Sequence, residues 1–469
     1  IRGQRQRGAG LRVDNSVGVY LDNINIPRTF GLSNALLDVQ RLEVLRGPQG
    51  TLYGRNTTGG AISMLTMDPT EELGGSLKVE GGDYDLLRAT GIFNLPLGDR
   101  AGLRLVGNLS QRDGYGEDAL GRDLMDNDSQ YIRGVFTADI TDELSFRLSG
   151  AHYENDTGGQ INGIIGLAEF PSLVAFVGGL QAGLNPIQAT EVFEEYIAAH
   201  KSDPYEAHGT FEGVSDVETN HWSMAVDWAL SDSLSFVSYT GYNNFDRKNN
   251  FDQEGTPFEI VSPVFFSDAD FFSQEFQLQS AHDTIDWVAG IYYSKEEGNE
   301  GQEPRIFGNP LFSAYTDAEN TSAALYGQAN WHFSEFWTLT AGARYTEDKR
   351  EVKNLVTDVK QSETFTEPTG LLSIQYMASE AVMFYAKAAT GYRAGGFNAV
   401  SEFDSETGLE LELGVKSDLF EDRVRLNVAA FHTDYDDIQR GVTKFVDGTL
   451  LSLTENAAEA TIQGIEVES

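Results

Sequence analysis

Apolar and polar residues alternate with a period of two through most of the sequence after about residue 72. The segment 144–149 reads LSFRLS, and segments 222–228 and 337–345 repeat the alternation as WSMAVDW and WTLTAGARY. Successive side chains of a β-strand point to opposite faces, so this pattern gives each strand one apolar and one polar face. No apolar run approaches the roughly 18 residues that a membrane-spanning helix needs. The alternation therefore predicts an all-β chain whose sheet separates an apolar environment from a polar one.

The connections between these segments alternate between two lengths, which favours a transmembrane β-barrel over a soluble sandwich. A barrel of the outer-membrane type has short turns on one rim and long loops on the other, and we predict about sixteen antiparallel strands. The predicted short turns are 141–143, 231–233, 281–283, 333–335 and 378–380. The predicted long loops are 113–128, 155–217, 246–268, 297–318, 348–363, 394–406 and 435–457.

Charge and motif content narrow the function classes. The sequence has 33 Lys and Arg residues against 72 Asp and Glu residues, a formal net charge of −39, which disfavours binding to nucleic acid. There is no cysteine, and the seven histidines are scattered. We find no nucleophile, zinc-protease or nucleotide-binding motif. The sequence therefore predicts a protein that is not an enzyme, with no metal site and no cofactor.

Residues 1–72 lack the paired alternating segments and are rich in glycine. Short apolar stretches such as 17–21 (VGVYL) are separated by turn-forming residues there. We therefore expect a compact α+β unit over residues 1–72 and a β-barrel over residues 73–469.

Several segments of this chain resemble the signature sequences of TonB-dependent outer-membrane receptors. They are 17–22 (VGVYLD), 39–54 (VQRLEVLRGPQGTLYG), 55–62 (RNTTGGAI), 390–398 (TGYRAGGFN), 411–417 (LELGVKS) and 464–468 (GIEVE). The resemblance implies that residues 1–72 are part of a plug domain inside the lumen of a barrel of about 22 strands, of which about sixteen are present. It also implies that the chain is incomplete at both ends. The plug signature supplies the candidate gate residues Glu43, Arg46, Gly47, Pro48, Gly50, Tyr53, Gly54, Gly59 and Gly60.

The function implied by this resemblance is active import across the outer membrane of a Gram-negative bacterium. The imported ligand would be scarce, most simply a ferric siderophore, and TonB with ExbB and ExbD would supply energy through an N-terminal box absent from this sequence. Outer-membrane lipid is the other expected partner, and nucleic acid is not. Two alternatives remain: a passive porin-like channel, or TonB-dependent uptake of a nutrient without iron, such as cobalamin, an oligosaccharide or a small aromatic.

The resemblance also points to plug arginines that meet barrel glutamates. Period-two parity agrees, because the leucines of segment 409–413 would face lipid and leave Glu412 inward, and Glu466 faces inward by the same rule. We therefore expect Arg46 to pair with Glu412 and Glu466. Water can replace such polar contacts when the plug moves.

Ligand contacts are expected from the outward loops and the plug apex, together with polar positions near the outer end of one strand. Tyr385, Lys387 and Arg393 share the inward parity there, and Arg393 could bind an anionic ligand. Within the longest loop, residues 189–199 read ATEVFEEYIAA, which predicts a short amphipathic helix.

Overall fold

The computed structural model describes residues 1–4, 10–163, 165–166, 183–253, 255–258, 260–306, 308–310, 313–398, 401–446 and 449–469. Two sheets dominate it, one of four strands within residues 1–72 and one of sixteen strands that begins at Gly74. We call residues 1–72 the plug and the sixteen-stranded sheet the wall.

The plug is built on a small mixed sheet in the order β2-β1-β4-β3. Its central strands β1 and β4 are parallel, and the other pairs are antiparallel. A 3-10 turn at Leu32–Leu36 closes one side. Val19, Leu21, Ala35 and Met64 form the plug's own buried apolar cluster. The strands are β1 (Val17–Leu21), β2 (Ile24–Asn25), β3 (Val39–Arg46) and β4 (Gly60–Thr66).

The wall is antiparallel throughout, and each strand pairs with its neighbour in chain order from β5 to β20. The predicted number of strands is therefore confirmed. The strands are β5 (Gly74–Gly82), β6 (Leu86–Pro96), β7 (Ala101–Arg112), β8 (Asn127–Asp139), β9 (Leu144–Asp156), β10 (Val214–Ser231), β11 (Leu234–Asn250), β12 (Val264–Ser280), β13 (Ile285–Glu303), β14 (Ala314–Ser334), β15 (Trp337–Asn354), β16 (Lys360–Ser379), β17 (Val382–Arg393), β18 (Glu406–Leu419), β19 (Val424–Asp436) and β20 (Ala460–Glu468).

Short turns join the strands at one rim, and most of the longer connections lie at the other. The short-turn rim comprises 97–100, 140–143, 232–233, 281–284, 335–336, 380–381 and 420–423. The opposite rim, here the loop rim, comprises 83–85, 113–126, 157–213, 251–263, 304–313, 355–359, 394–405 and 437–459. Small two-stranded sheets lie within four of these connections: Gly116–Glu117 with Asp123–Leu124, Arg305–Ile306 with Asn309–Pro310, Gly396–Phe397 with Glu402–Phe403, and Gln439–Val446 with Thr449–Asn456.

Three loops are shorter than predicted because the strands continue into them. Strand residues make up most of 297–318 and 348–363 and occupy both ends of 246–268, and β14 reaches 21 residues. Segments such as 297–303 (EGNEGQE) and 348–354 (DKREVKN) are polar on both faces, so they carry no alternation signal. Their backbone hydrogen bonds nevertheless continue the ladder to the neighbouring strand.

The outward face of the wall is apolar and the inward face is polar. On β18, Leu409, Leu411 and Leu413 are exposed outward, whereas Glu410 on the opposite face is fully buried. A row of exposed aromatic rings, Trp331, Phe333, Trp337 and Tyr376, packs side by side near the short-turn rim. An exposed apolar belt with an aromatic border suits a sheet that lipid surrounds.

One α-helix, α1 (Pro186–Ser202), lies in the longest connection, where the sequence predicts a helix at 189–199. Asn185 and Gln188 form a capping box at its N-terminus. Ala189 and Phe193 on one face pack against Ile260 from the 251–263 connection. Among the described residues, no helix is long and apolar enough to cross a membrane.

The lipid-facing parity of β18 can be tested with an arginine at Leu413, which is 65% exposed on the outward face. We expect Leu413→Arg to destabilise the folded wall by about 2–4 kcal/mol, because the charge must enter the apolar region of the bilayer. Denaturant titration in lipid vesicles, read by heat-modifiable gel migration, measures this change. Leu355→Arg in the 355–359 connection is the matched control and should change stability by under about 0.5 kcal/mol. Equal effects of the two substitutions would contradict the assigned faces.

Candidate functional site

The plug lies against the polar face of the wall and contacts strands from both of its halves. Asp38 binds arginines of β7 and β8, Arg28 binds a glutamate of β13, and Arg2 binds glutamates of β18 and β20. The curved wall therefore encloses the plug, and ion pairs form much of the contact between them.

The most buried contact at the β18–β20 side is the glutamate cluster, which consists of Glu410, Glu412 and Glu466. Arg2 of the plug lies among them, with Nη1 at 2.6 Å from Glu410 Oε2 and Nη2 at 2.9 and 2.7 Å from Glu412 Oε2 and Glu466 Oε2. Only 4% of the Arg2 side chain is exposed, and none of Glu410 is. The Arg2 guanidinium also lies 3.9 Å from the centre of the Phe431 ring. Burial alone would lower the pKa of Arg2, but Glu466 and Glu410 raise it above its ordinary value.

Arg46 occupies the edge of this cluster, not its centre. Its Nη1 lies 3.5 Å from Glu466 Oε2 and its Nη2 lies 2.5 Å from Glu468 Oε1. The predicted pairing of Arg46 with Glu412 is not present, because Arg2 occupies that position. In the strand register Glu466 lies opposite Ala429, two residues closer to the short-turn rim than the partner of Glu412. Arg46 is 39% exposed, so its ion pairs are weaker than those of Arg2.

The signature glycines bring the plug backbone onto the wall. Gly47 has φ of +75°, and a Cβ there would overlap the Glu410 carboxylate. Gly54 has φ of +81°, and a Cβ there would meet the Arg344 guanidinium. Gly50 donates its N–H to Thr390 O at 3.2 Å. At Gly47 and Gly54 only glycine combines a positive φ with so close an approach, and at Gly50 a Cβ would meet the Thr390 carbonyl oxygen.

The other signature residues, apart from Pro48, make their contacts within the plug. Gly59 donates its N–H to Ser16 O at 2.7 Å, and Gly60 lies opposite Arg46 in the sheet. The ring centres of Tyr53 and Tyr20 lie 4.8 Å apart. The Tyr20 hydroxyl donates a 2.7 Å hydrogen bond to the carbonyl oxygen of Tyr53. The remaining two are Pro48, which lies beside Gly391 of β17, and Glu43, which pairs at 3.2 Å with Arg41 and is half exposed.

A second buried cluster lies nearer the loop rim and has Asp14 and Arg28 of the plug at its centre. Arg28 donates from Nε and Nη2 to the two carboxylate oxygens of Glu296, each at 2.8 Å, and its Nη2 also lies 3.3 Å from Asp14 Oδ1. Arg350 of β15 donates to Asp14 Oδ2. Burial opposes ionisation of Asp14, but Arg350, Arg28 and Arg55 outweigh it and hold the pKa of that carboxyl well below its usual range.

On β7 to β9 the signs of the partners are reversed, because the wall supplies arginines and the plug supplies aspartates. Arg104 donates from Nε and Nη2 to the two carboxylate oxygens of Asp38, at 2.7 and 2.5 Å. Arg147 lies 3.1 Å from Asp22 Oδ2 and 2.7 Å from Asp68 Oδ1. Apart from Asp14, which pairs with Arg350 of β15, these contacts place plug cations against the β13–β20 side of the wall and plug anions against β7 to β9, which favours one orientation of the plug.

The three residues predicted to contact ligand lie in these plug–wall networks. Tyr385 donates its hydroxyl to Glu412 Oε1 at 2.6 Å, and Lys387 Nζ lies 3.1 Å from Glu410 Oε1. Arg393 donates from Nε to the carbonyl oxygen of Asp14 at 2.7 Å. Their ligand role stays a prediction, since the contacts they make are with the plug and with neighbouring strands. No signal in the sequence marked Arg2, which lies outside the signature segments. Parity placed Glu410 inward with Glu412 but did not single it out as a partner of the plug.

No group of three or more His, Asp or Glu side chains in the described part of the chain is arranged to hold a metal ion. The candidate site is an interface of ion pairs and close backbone contacts between plug and wall.

Comparison with known families assigns both parts of the chain. Residues 178–469 match the family model described as TonB dependent receptor-like, beta-barrel. Residues 1–61 match the model described as TonB-dependent Receptor Plug Domain. Among curated proteins, the Pesticin receptor of Yersinia pestis is 24% identical over 490 residues, which cover 97% of this chain and 64% of that protein. The Metal-pseudopaline receptor CntO of Pseudomonas aeruginosa is 22% identical over 454 residues, 92% of this chain and 61% of that protein.

Solved structures show the same fold at low identity. The ferric yersiniabactin uptake receptor FyuA from Yersinia pestis superposes with a TM-score of 0.76 and 20% identity over 97% of this chain and 67% of that one. The siderophore receptor PiuA from Acinetobacter baumannii gives a TM-score of 0.74 and 16% identity over 99% of this chain and 72% of that one. The chain spans less than two thirds of the length of the curated relatives that it matches.

The contrast between Arg2 and Arg46 gives a paired test. Arg2→Ala should destabilise the docked plug by about 3–5 kcal/mol, because it leaves buried carboxylates without their partner. Arg46→Ala should cost at most about 1 kcal/mol, because its pairs are partly hydrated. Leak conductance in planar bilayers of the full-length protein measures both, and the leak should rise strongly for the first variant and slightly for the second. A larger leak from Arg46→Ala would reverse the assignment of the central cation.

The low pKa of Asp14 predicts a pH dependence. Because its folded-state pKa is depressed, its contribution is fully present above the unfolded pKa of about 3.9 and is lost as pH falls below that value. The difference in unfolding free energy between the native protein and Asp14→Asn should therefore be constant at neutral pH and shrink below about pH 4. Denaturant titrations of both proteins at matched pH values measure it. A difference that does not change down to pH 2 would contradict an ionised, paired Asp14.

Proposed function

The chain belongs to the TonB-dependent receptor family, and from that membership we propose that it imports a scarce ligand across the outer membrane by a TonB-driven movement of the plug. The protein is a β-barrel of the outer membrane. The relatives are named as receptors and uptake receptors, which supports a role in transport and not in catalysis. The observation that carries the proposal is the buried ionic contact of Arg2 with three wall carboxylates.

An ionic seal suits a gate because its cost depends on how it is opened. Deleting one partner of a buried ion pair leaves an unpaired charge and costs several kcal/mol. Moving the plug so that water reaches both partners restores their hydration, and the desolvation penalty of the pair is recovered. A pulled plug can thus exchange Arg2–Glu410 and Arg28–Glu296 contacts for water at moderate cost. An apolar seal of the same area would have to expose its whole surface to water.

The proposed ligand is a ferric siderophore or a related metal chelate. The support comes from the names of relatives, which include a ferric yersiniabactin uptake receptor, a siderophore receptor and a metal-pseudopaline receptor. A nutrient without iron, such as cobalamin, an oligosaccharide or a small aromatic, is the alternative within the same mechanism. A passive porin is disfavoured, because a diffusion channel has no use for a plug bound on several sides.

We further propose the plug–barrel boundary near residue 72, between the end of β4 at Thr66 and the start of β5 at Gly74. TonB, with ExbB and ExbD, is the proposed source of the pulling force. Lipid would cover the outward face.

A disulfide between plug and wall tests whether the plug must move. The sequence has no cysteine, so introduced cysteines would have no native competitors. A side chain added at Gly342 of β15 would meet Thr51 Cγ2 of the plug, which places cysteines at these two positions near the separation that a disulfide needs. Oxidised Thr51→Cys/Gly342→Cys should bind ligand normally and lose uptake of a radioiron-labelled chelate, and reduction should restore the uptake.

The matched control is a disulfide within the wall. Gly91 and Gly107 lie opposite each other on β6 and β7, so Gly91→Cys/Gly107→Cys joins two strands without touching the plug. This variant should transport normally when oxidised. Uptake that persists through a complete Thr51–Gly342 cross-link would refute plug movement, and uptake that persists after the proton gradient is collapsed would favour the porin.

Ligand identity requires a separate screen of the full-length protein. We expect binding and growth-supporting uptake for at least one ferric chelate in a panel that also contains cobalamin, oligosaccharides and small aromatics. Binding confined to a member without iron would keep the transport mechanism and replace the proposed ligand class.

A further inference from the structure

A polar pocket of about 360 Å³ lies at the loop rim, away from the plug–wall ion pairs. The start of β6, the end of β7 and the beginning of the 157–213 connection line it, and its charged side chains are Arg88, Arg112 and Asp126. Both arginines take the inward parity of their strands, opposite to the exposed Leu87 and Leu109. The pocket therefore faces the lumen and not the lipid.

The two arginines are close together and are not consumed by carboxylates. Arg88 lies opposite Ser110 in the strand register. Arg112 is two residues beyond Ser110 on β7, a rise of about 7 Å along the strand. In the described ranges neither arginine forms a salt bridge within 4.0 Å, whereas most plug–wall arginines do. Glu80 is the cross-strand neighbour of Arg88, but its carboxylate pairs with Lys78 at 2.9 Å.

Arg112 is held in place with donor capacity to spare. It donates from Nη2 to the carbonyl oxygen of Met125, and its guanidinium lies 5.1 Å from the centre of the Tyr115 ring. Tyr115 is in turn packed edge-on against Tyr84 and Tyr205. The Nε of Arg112 is buried and has no hydrogen-bond partner among the described residues, which native proteins rarely tolerate.

Arg88 and the neutral groups complete a set of donors. Arg88 donates from Nε to Ser110 Oγ at 3.3 Å and its other nitrogens have no partner in the part of the chain that the structure describes. Asp126, the one carboxylate in the lining, accepts the N–H of Gly158 at 2.5 Å, and burial raises its pKa. Gln160 adds a neutral amide to the lining. Two guanidiniums and the amide of Gln160 supply donors for an oxyanion, while one oxygen of Asp126 is occupied by the Gly158 N–H.

A protein with a net charge of −39 repels anions from a distance. A ligand with an exposed carboxylate, phosphate or sulfonate would therefore need a local cationic contact as it enters the lumen. We infer that the Arg88–Arg112 pocket binds an oxyanion group of the imported ligand. The inference that this group belongs to an imported ligand rests on the proposed function. The inference that the pocket binds an oxyanion does not.

Anion binding is measured first, with inorganic phosphate and citrate as probes. Calorimetric titration of the full-length protein at low ionic strength should show binding that weakens at least about tenfold in Arg88→Gln and in Arg112→Gln. Arg425→Gln is the matched control, because this exposed arginine lies at the short-turn rim and its loss changes the net charge equally. Crystals soaked in selenate should place the anomalous peak beside Arg112. Unchanged affinity in both folded variants, or a peak elsewhere, would overturn the pocket.

Uptake measurements then distinguish failure of the pocket hypothesis from failure of the proposed function. The double variant should raise the half-saturating concentration for an anionic chelate and leave that for a neutral chelate unchanged. Weaker phosphate binding with unchanged uptake of both chelates would assign the pocket to free anions and overturn the link to imported ligand. Intact phosphate binding in a protein that imports neither a chelate nor any other member of the ligand panel would refute the proposed function and leave the oxyanion pocket standing.

Discussion

Arg2 is surrounded by three carboxylates and only 4% of its side chain is exposed, so this contact is a buried ionic link between plug and wall. A guanidinium serves this place because its planar fork can donate in several directions at once, which an ammonium cannot do with the same geometry. Lys387 supplies a second positive charge to Glu410 from the wall side. The cluster therefore keeps partners for its acids as long as the plug stays docked.

The same contact explains why the wall is built as it is. A sheet in lipid must satisfy its backbone through neighbouring strands, so its inward face is free to carry charge while the outward face stays apolar. Glu410 and Leu411 are adjacent in sequence, yet one is fully buried against the plug and the other is exposed outward. Period-two geometry is thus the link between membrane insertion and the ionic lock of the plug.

The distribution of charge between plug and wall favours one orientation of the plug in the lumen. The plug presents Arg2 and Arg28 to the β13–β20 half of the wall and Asp38 and Asp22 to the arginines of β7 to β9. A plug rotated in the lumen would bring like charges together, which costs several kcal/mol per close contact. Arg88 and Arg112 at the loop rim form none of these plug–wall ion pairs, so their positive charge is available to an incoming anion.

The sequence by itself determined the wall, because alternation, turn spacing and the signature segments are local patterns that each strand carries independently. It also identified Arg46, Glu412 and Glu466 as members of one ionic region. Only the tertiary structure decided which residues form ion pairs, because strand register and side-chain length determine which charged groups from distant segments come into contact. Arg2 carries no motif, and polar strand extensions such as 348–354 carry no alternation. Long-range register and burial, which no local pattern encodes, therefore gave the central cation of the lock to Arg2 and left Arg46 at its edge.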